Sequence, residues 1–176
     1  MGAKVTAPKK GAGKKQVPPS SNGCQSHCPE EGCWQEASAS VDLWSNKIGD
    51  SGAQALCAAL VATSTLTSLN LRNCRITAAG VAQLAQGVGK SASLATLNLG
   101  NNQIGDSGAQ ALGAALAATS TLTSLDLEYC GITAAGAAHL AEGVGKSASL
   151  ATLDLGSNKI GDSGAQALGA DRKSVV

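Results

Sequence analysis

The chain has 176 residues, a length that suits one domain, and its 43% apolar content is nearly all Ala, Leu, Val and Ile, because Phe is absent and only one Tyr and two Trp occur. Aromatics fill thick cores, so regular Leu and Ile positions must build a thin one; no apolar run approaches the roughly 18 residues of a membrane span, and no apolar stretch near the N-terminus marks an export signal. The formal net charge of +1 hides a division: residues 1–23 carry five Lys and no acid, while the rest carries eight Lys or Arg against twelve acids, a net of −4.

Residues 1–23, with their lysines, Pro18, Pro19, Ser20 and Ser21, have little to bury and read as a disordered basic tail. The opening Met1-Gly2-Ala3-Lys4-Val5-Thr6 fits the acyl-acceptor pattern M-G-x-x-x-[ST], which makes Gly2 a lipidation site. One acyl chain anchors only marginally, and the neighbouring lysines supply the electrostatic second signal. Peripheral contact at the cytoplasmic face of a membrane is therefore expected, against the blander reading of a solvated charge run. Residues 24–37 form a Cys-containing linker or partial N-terminal cap, with Trp34 placed to cover the open end of the segment from residue 38 onward. Cys24, His27, Cys28 and Cys33 are ligand types. No second pair at finger spacing accompanies them, and Pro29, Glu30 and Glu31 interrupt them, so no metal is expected.

Residues 38–170 are periodic. Leu43, Leu71, Leu99, Leu127 and Leu155 recur every 28 residues, as do Ile48, Ile76, Ile104, Ile132 and Ile160, and Gly52, Gly80, Gly108, Gly136 and Gly164. Each unit opens with one pattern, L-x-x-L-x-L-x-x-C at Leu66, Leu69, Leu71 and Cys74, then with Asn102 in the last place after Leu94, Leu97 and Leu99. Leu122, Leu125, Leu127 and Cys130 come next, then Leu150, Leu153, Leu155 and Asn158. The L-x-L core alternates as a strand does, which predicts parallel strands near 41–43, 69–71, 97–99, 125–127 and 153–155. The Ala- and Leu-rich stretches after them, such as Gly108 to Ala118, read as helices. Asp50, Asp106 and Asp162, or Thr77 and Thr133, offer oxygens to cap them.

This pattern resembles the leucine-rich repeat family, and the 28-residue unit with I-G-D-x-G-A-x-A-L resembles its ribonuclease-inhibitor-like kind, as in ribonuclease inhibitor, the Ran GTPase-activating protein and NOD-like receptor repeats. The resemblance implies an α/β solenoid, a horseshoe of strand-helix units with a parallel sheet on the concave face. The physics agrees, because one unit cannot bury its apolar side alone and neighbours must stack.

The true unit is doubled. Residues 47–102 differ from 103–158 only at 47, 57, 61, 70, 72, 73, 75, 81, 83, 86, 98 and 101. Seven of these (47, 70, 72, 73, 75, 98 and 101) fall in or just after a strand at non-Leu positions, so alternation sends them away from the core. A copied scaffold with a varied face suits a binding surface, although drift on any exposed surface looks similar. The face offers Asp42, Trp44, Lys47, Asn70, Arg72, Asn73, Arg75, Asp126, Glu128, Tyr129 and Asp154 to a protein partner, and Trp, Tyr and Arg are the residue types that dominate interface energetics.

Other motifs fail on spacing or order. Gly87-Val88-Gly89-Lys90-Ser91 and its copy at 143–147 look like phosphate loops, but Leu84 and Leu140 stand where the first Gly is required, and a helix precedes where a strand should. They read as helix stops. Cys74 and Cys130 lie two units apart, roughly 10 Å at strand spacing, too far for a disulfide. They read as free buried thiols of a reducing compartment, and Cys57 as packing. His139 should be solvated, and no nucleophile can be placed beside a His and a carboxylate.

The function expected is therefore that of a non-catalytic, cytoplasmic protein-interaction module with no cofactor and no nucleic-acid partner. The alternatives are a GTPase-activating protein of the Ran-activating type and a fragment of a NOD-like receptor sensor. Residues 171–176, Asp-Arg-Lys-Ser-Val-Val, break the repeat and place Arg172 where Leu60, Val88, Leu116 and Val144 sit in other units. A truncated or non-native terminus is expected there.

Overall fold

The computed structural model describes residues 4–6 and 39–170. Five strand-helix units succeed one another: β2 (Ala39–Asp42) and α1 (Gly49–Ala62), β3 (Leu66–Asn70) and α2 (Ala78–Lys90), β4 (Thr96–Asn98) and α3 (Gly105–Ala118), β5 (Ser124–Asp126) and α4 (Ala134–Lys146), β6 (Thr152–Asp154) and α5 (Gly161–Ala170). Strands β2 to β6 are parallel and in sequence order, and Leu69, Leu97, Leu125 and Leu153 pair in one row. The 28-residue period is thus the register of the sheet. The strands end one residue before the expected limits, but the inter-unit hydrogen bonds continue past them. Leu71 donates to the Asn98 carbonyl at 2.8 Å, and Asn73 to that of Gly100 at 2.9 Å.

One strand was not expected. Lys4–Thr6 forms β1, antiparallel to β2 with Val5 opposite Val41. These three residues lie inside the segment read as a disordered tail. Val5 and Thr6 are β-branched and suit a strand, and β2 otherwise presents an unpaired edge, which is a template for pairing.

The core is a single layer of aliphatic side chains between sheet and helices. Leu69, Leu71, Leu97, Leu99, Leu125 and Leu127 come from the strand side, Ile76, Ile104 and Ile132 from the turn, and Leu84, Leu112 and Leu140 from the helices, all buried. Leu153, Leu155 and Ile160 of the last unit are only partly buried.

Two polar devices join the units, and they alternate. On the strand side, Asn102 reaches back one unit. Its Oδ1 accepts from the backbone N–H of Cys74 at 3.1 Å and Ile76 at 3.0 Å, and its Nδ2 donates to the carbonyls of Leu71, Leu99 and Gly100. Asn158 repeats the set one duplicate later, on Cys130 and Ile132. Buried backbone groups need partners, and one amide meets five of them.

On the helix side, Asp50 reaches forward. Its Oδ1 accepts from the Thr77 N–H at 2.8 Å and its Oδ2 from the Thr77 hydroxyl at 2.7 Å; Asp106 does the same for Thr133 and also accepts from the Gly136 N–H. The expectation that Asp50, Asp106 and Asp162 cap their own helices is therefore corrected. Asp50 and Asp106 sit in the first turn, and the residues before their helices, Ile48 and Ile104, make no side-chain cap; Asp162 is likewise a first-turn residue. Asp50 and Asp106 instead serve the start of the next helix, where Thr77 and Thr133 cap in the ordinary way by accepting from Ala79 and Ala135.

Both carboxyls are held below their ordinary pKa of 3.8, chiefly by the Thr77 and Thr133 backbone N–H groups. A depressed folded-state pKa gives stability that is complete above the unfolded value and lost as pH falls through the folded one. Asp106→Asn should therefore be less stable than the parent chain at pH 7. The two should converge as pH drops below the carboxylate range, read by urea midpoints at each pH.

The glycines read as helix stops do something else. Gly87 and Gly143 lie inside α2 and α4, which run on to Lys90 and Lys146. A Cβ on Gly87 would meet the Cys57 carbonyl at 2.8 Å, and one on Gly143 the Gly113 carbonyl at 2.3 Å. They let neighbouring helices touch backbone to backbone. His139 is half-buried rather than solvated, and its carbonyl lies against Gly113.

Candidate functional site

Alternation along each strand buries the leucines and presents the residues between them on the outer sheet face, in rows that step by 28 residues. The first row is Asp42, Asn70, Asn98, Asp126 and Asp154. Each uses one side-chain oxygen to accept the backbone N–H two residues on: Trp44 at 3.0 Å, Arg72 at 3.1 Å, Gly100 at 2.9 Å, Glu128 at 2.9 Å and Gly156 at 2.8 Å. This is an Asx turn, open to Asp and Asn alike, which explains why the two interchange here. Asp42, Asn70, Asp126 and Asp154 thus each carry a turn-forming duty that sequence reasoning did not assign.

The second row is Trp44, Arg72, Gly100, Glu128 and Gly156. Trp44 is 60% exposed. The Arg72 guanidinium crosses the adjacent unit, where Gly100 has no side chain to block it, and its Nη2 meets Glu128 Oε2 at 2.6 Å while Nη1 lies 3.7 Å from Asp126 Oδ2. A Cβ on Gly100 would sit 3.0 Å from Arg72 Nη1. Arg72 and Glu128 are equivalent positions of the two duplicates, 56 residues apart with opposite charge. The pair is about one-third exposed on both sides, so its net stabilisation is about 0.5 kcal/mol.

Beyond the sheet, two further rows run along the turns. Ser45, Asn73, Asn101, Tyr129 and Ser157 all have positive φ, between 54° and 61°. Lys47, Arg75, Gln103, Gly131 and Lys159 form the outer edge, and of these Lys47, Arg75 and Gly131 also have positive φ. Lys47, Asn73, Arg75 and Tyr129 therefore stand on the loop edge rather than on the sheet face. The Asn73 amide donates to the Ser45 hydroxyl at 3.0 Å. Tyr129 is 63% exposed. Between the rows runs a groove of about 710 Å³, lined by Arg75, Asn101, Gln103, Tyr129, Gly131 and Lys159 among others. Asn101 was marked by its variation between the duplicates but not as a contact residue, and Gln103, Gly131 and Lys159 were not singled out from the sequence; aligning the units in columns of 28 would have exposed Gly131 as a missing side chain in a row of long polar ones.

The thiols match their sequence reading. Cys74 and Cys130 are free and buried, and Cys57 is free and partly buried. Burial pushes the Cys130 thiol up to about 11, and its Sγ donates to the Leu99 carbonyl at 3.3 Å. Gly2, Cys24, His27, Cys28, Cys33 and Trp34 lie outside the described residues.

The family model described as Leucine Rich repeat matches residues 40–57, 63–85, 90–113, 119–141 and 146–169, more than half of the chain. Among solved structures, leiomodin-1 actin-binding site 2 is similar, with a TM-score of 0.61 and 19% identity over 75% of this chain and 79% of that one. No curated protein sequence matches.

Proposed function

The chain belongs to the leucine-rich repeat family, and on that premise we propose that it is a non-catalytic protein-interaction module whose partner meets the outer sheet face and the adjoining loop edge. The 28-residue period and the I-G-D-x-G-A-x-A-L helix start support the ribonuclease-inhibitor-like kind. The observation that carries the reading is the exposure of Trp44 and Tyr129, at 60% and 63%, on the sheet face and its loop edge, while the leucines of the central strands are buried. Both rings stand where truncation would expose no core, and both are residue types that anchor interfaces. The structural neighbour is named as an actin-binding site, which supports a protein partner for this architecture and leaves its identity open.

A photo-reactive phenylalanine placed at position 44 or 129 of the full chain in cells should yield a protein adduct, and one at the exposed helix position Ala114 should not. Trp44→Ala and Tyr129→Ala should abolish co-purification of the captured partner while shifting stability by no more than about 0.5 kcal/mol. Equal labelling from all three positions, or unfolding by either alanine, would refute the assignment.

A further inference from the structure

Two groove-lining residues stand on backbone that does not suit them. Arg75 has φ of 58° and Tyr129 of 54°. Among their equivalents are residues this backbone prefers: Gly131 at the Arg75 place, where Lys47 also has positive φ, and Asn73 and Asn101 at the Tyr129 place, with the small Ser45 and Ser157 beside them. Left-handed backbone favours Gly and then Asn, and it strains bulkier residues. Strain of this sort persists where surrounding structure enforces it and collects at functional positions. Neither side chain offsets it within the fold, since both are exposed and neither makes a side-chain hydrogen bond or ion pair among the described residues.

The charge along the edge is one-sided. Lys47, Arg75, Gln103, Gly131 and Lys159 contain three cations and no acid, and the salt bridges among the described residues all belong to Arg72. Gly131 leaves a gap in this row, and the Tyr129 ring lines the same groove. Asn101 and Gln103 place side-chain amides in the groove with no hydrogen bond among the described residues. The neighbouring Asn102 amide, by contrast, is fully engaged.

We propose that this loop-edge groove binds an acidic, extended peptide segment of the partner, with Arg75 and Lys159 pairing carboxylates at its two ends, Tyr129 packing against the chain between them, and the Asn101 and Gln103 amides bonding its backbone. Arg75 and Lys159 are three strand steps apart, about 14 Å at roughly 4.8 Å per step. Four residues of extended peptide span about 13 Å and return a side chain to the same face, so acids at i and i+4 fit. A polyphosphate strand fits less well, because Arg75 and Lys159 are the charged residues of the groove lining, and the uncharged Asn101, Gln103, Tyr129 and Gly131 between them offer no cation to a continuous line of charge. The inference rests on the interaction-module reading and names the chemistry of its partner.

The test uses fluorescence anisotropy of the full chain with a labelled peptide carrying Glu at every fourth residue, the same peptide with Gln, and a labelled single-stranded oligothymidine. The Glu peptide should bind at least tenfold more tightly than the Gln peptide and the oligonucleotide. Arg75→Gly and Tyr129→Asn install residues that the same rows already carry, so they should fold at least as well as the parent, and each should weaken the Glu peptide about tenfold. Lys159→Gln, which copies Gln103, should do likewise. Equal binding of the Glu and Gln peptides, unchanged binding by the three variants, or tighter binding of the oligonucleotide would overturn the proposal. If photo-adducts from position 44 persist in that event, the module reading stands and only the acidic-peptide assignment fails.

Discussion

Asn102→Ala should lower stability by about 4 kcal/mol, the sum expected when two buried backbone N–H groups lose their acceptor at about 1–3 kcal/mol each and the carbonyls beside them lose a donor. The residue is 6% exposed, so water cannot readily replace the amide. Against a typical total of about 5–15 kcal/mol, this is from about a quarter to most of the whole. Two comparisons make the cause specific. Asn158→Ala removes the same set of bonds from the partly buried last unit and should cost about half as much, because solvent reaches the freed groups. Asn102→Cys should be intermediate, since Cys130 occupies the corresponding place and its Sγ donates to the Leu99 carbonyl. Urea unfolding of the three variants checks the order.

Gly143→Ala should cost about 2–3 kcal/mol, within the range for inserting a methyl where none fits. The new Cβ would stand 2.3 Å from the Gly113 carbonyl oxygen and 2.7 Å from its Cα. These are backbone atoms, so relief requires α3 and α4 to separate. Gly169→Ala is the control. It lies in α5 with nothing within 4 Å of the added carbon, and it should stabilise by up to about 1 kcal/mol through helix propensity alone. Opposite signs in thermal melts of two chemically identical substitutions would attribute the loss to interhelical contact.

Much of the architecture was legible because a single period governs it. Leu69, Leu97, Leu125 and Leu153 announce their shared row by spacing, and the same spacing is their pairing register. Features that depend on relations between units were not legible. Asp50 looks like a cap for α1, and only the stacked structure shows its oxygens on Thr77, 27 residues away. The Asp42, Asn70, Asn98, Asp126 and Asp154 row looks like variable surface, whereas its Asp and Asn residues are interchangeable acceptors for one turn. Arg72 and Glu128 each look like a free contact residue until the side chain missing at Gly100 brings them together. Gly87 and Gly143 carry the usual signature of a helix stop, and their demand for close approach arises from helices distant in sequence. Lys4–Thr6 was obscured by its lysine-rich surroundings, since three residues are too few for alternation to register.

The alternation of Asn and Asp joints gives the array a parity. Units that contain Ile48, Ile104 and Ile160 hold their predecessor by an amide or adjoin the N-terminal edge, while those that contain Ile76 and Ile132 are held by a carboxylate from theirs. Deleting one 28-residue segment would abut two members of the same parity, leaving a carboxylate with no threonine ahead, or a unit whose turn N–H groups meet no amide and a threonine with no carboxylate behind it. Removing or adding 56 residues leaves every joint intact. Unequal recombination within such a gene would therefore be silent to folding at one spacing and damaging at half of it, so lengths along the lineage should change in steps of two units, as the near-identity of the two duplicates already illustrates.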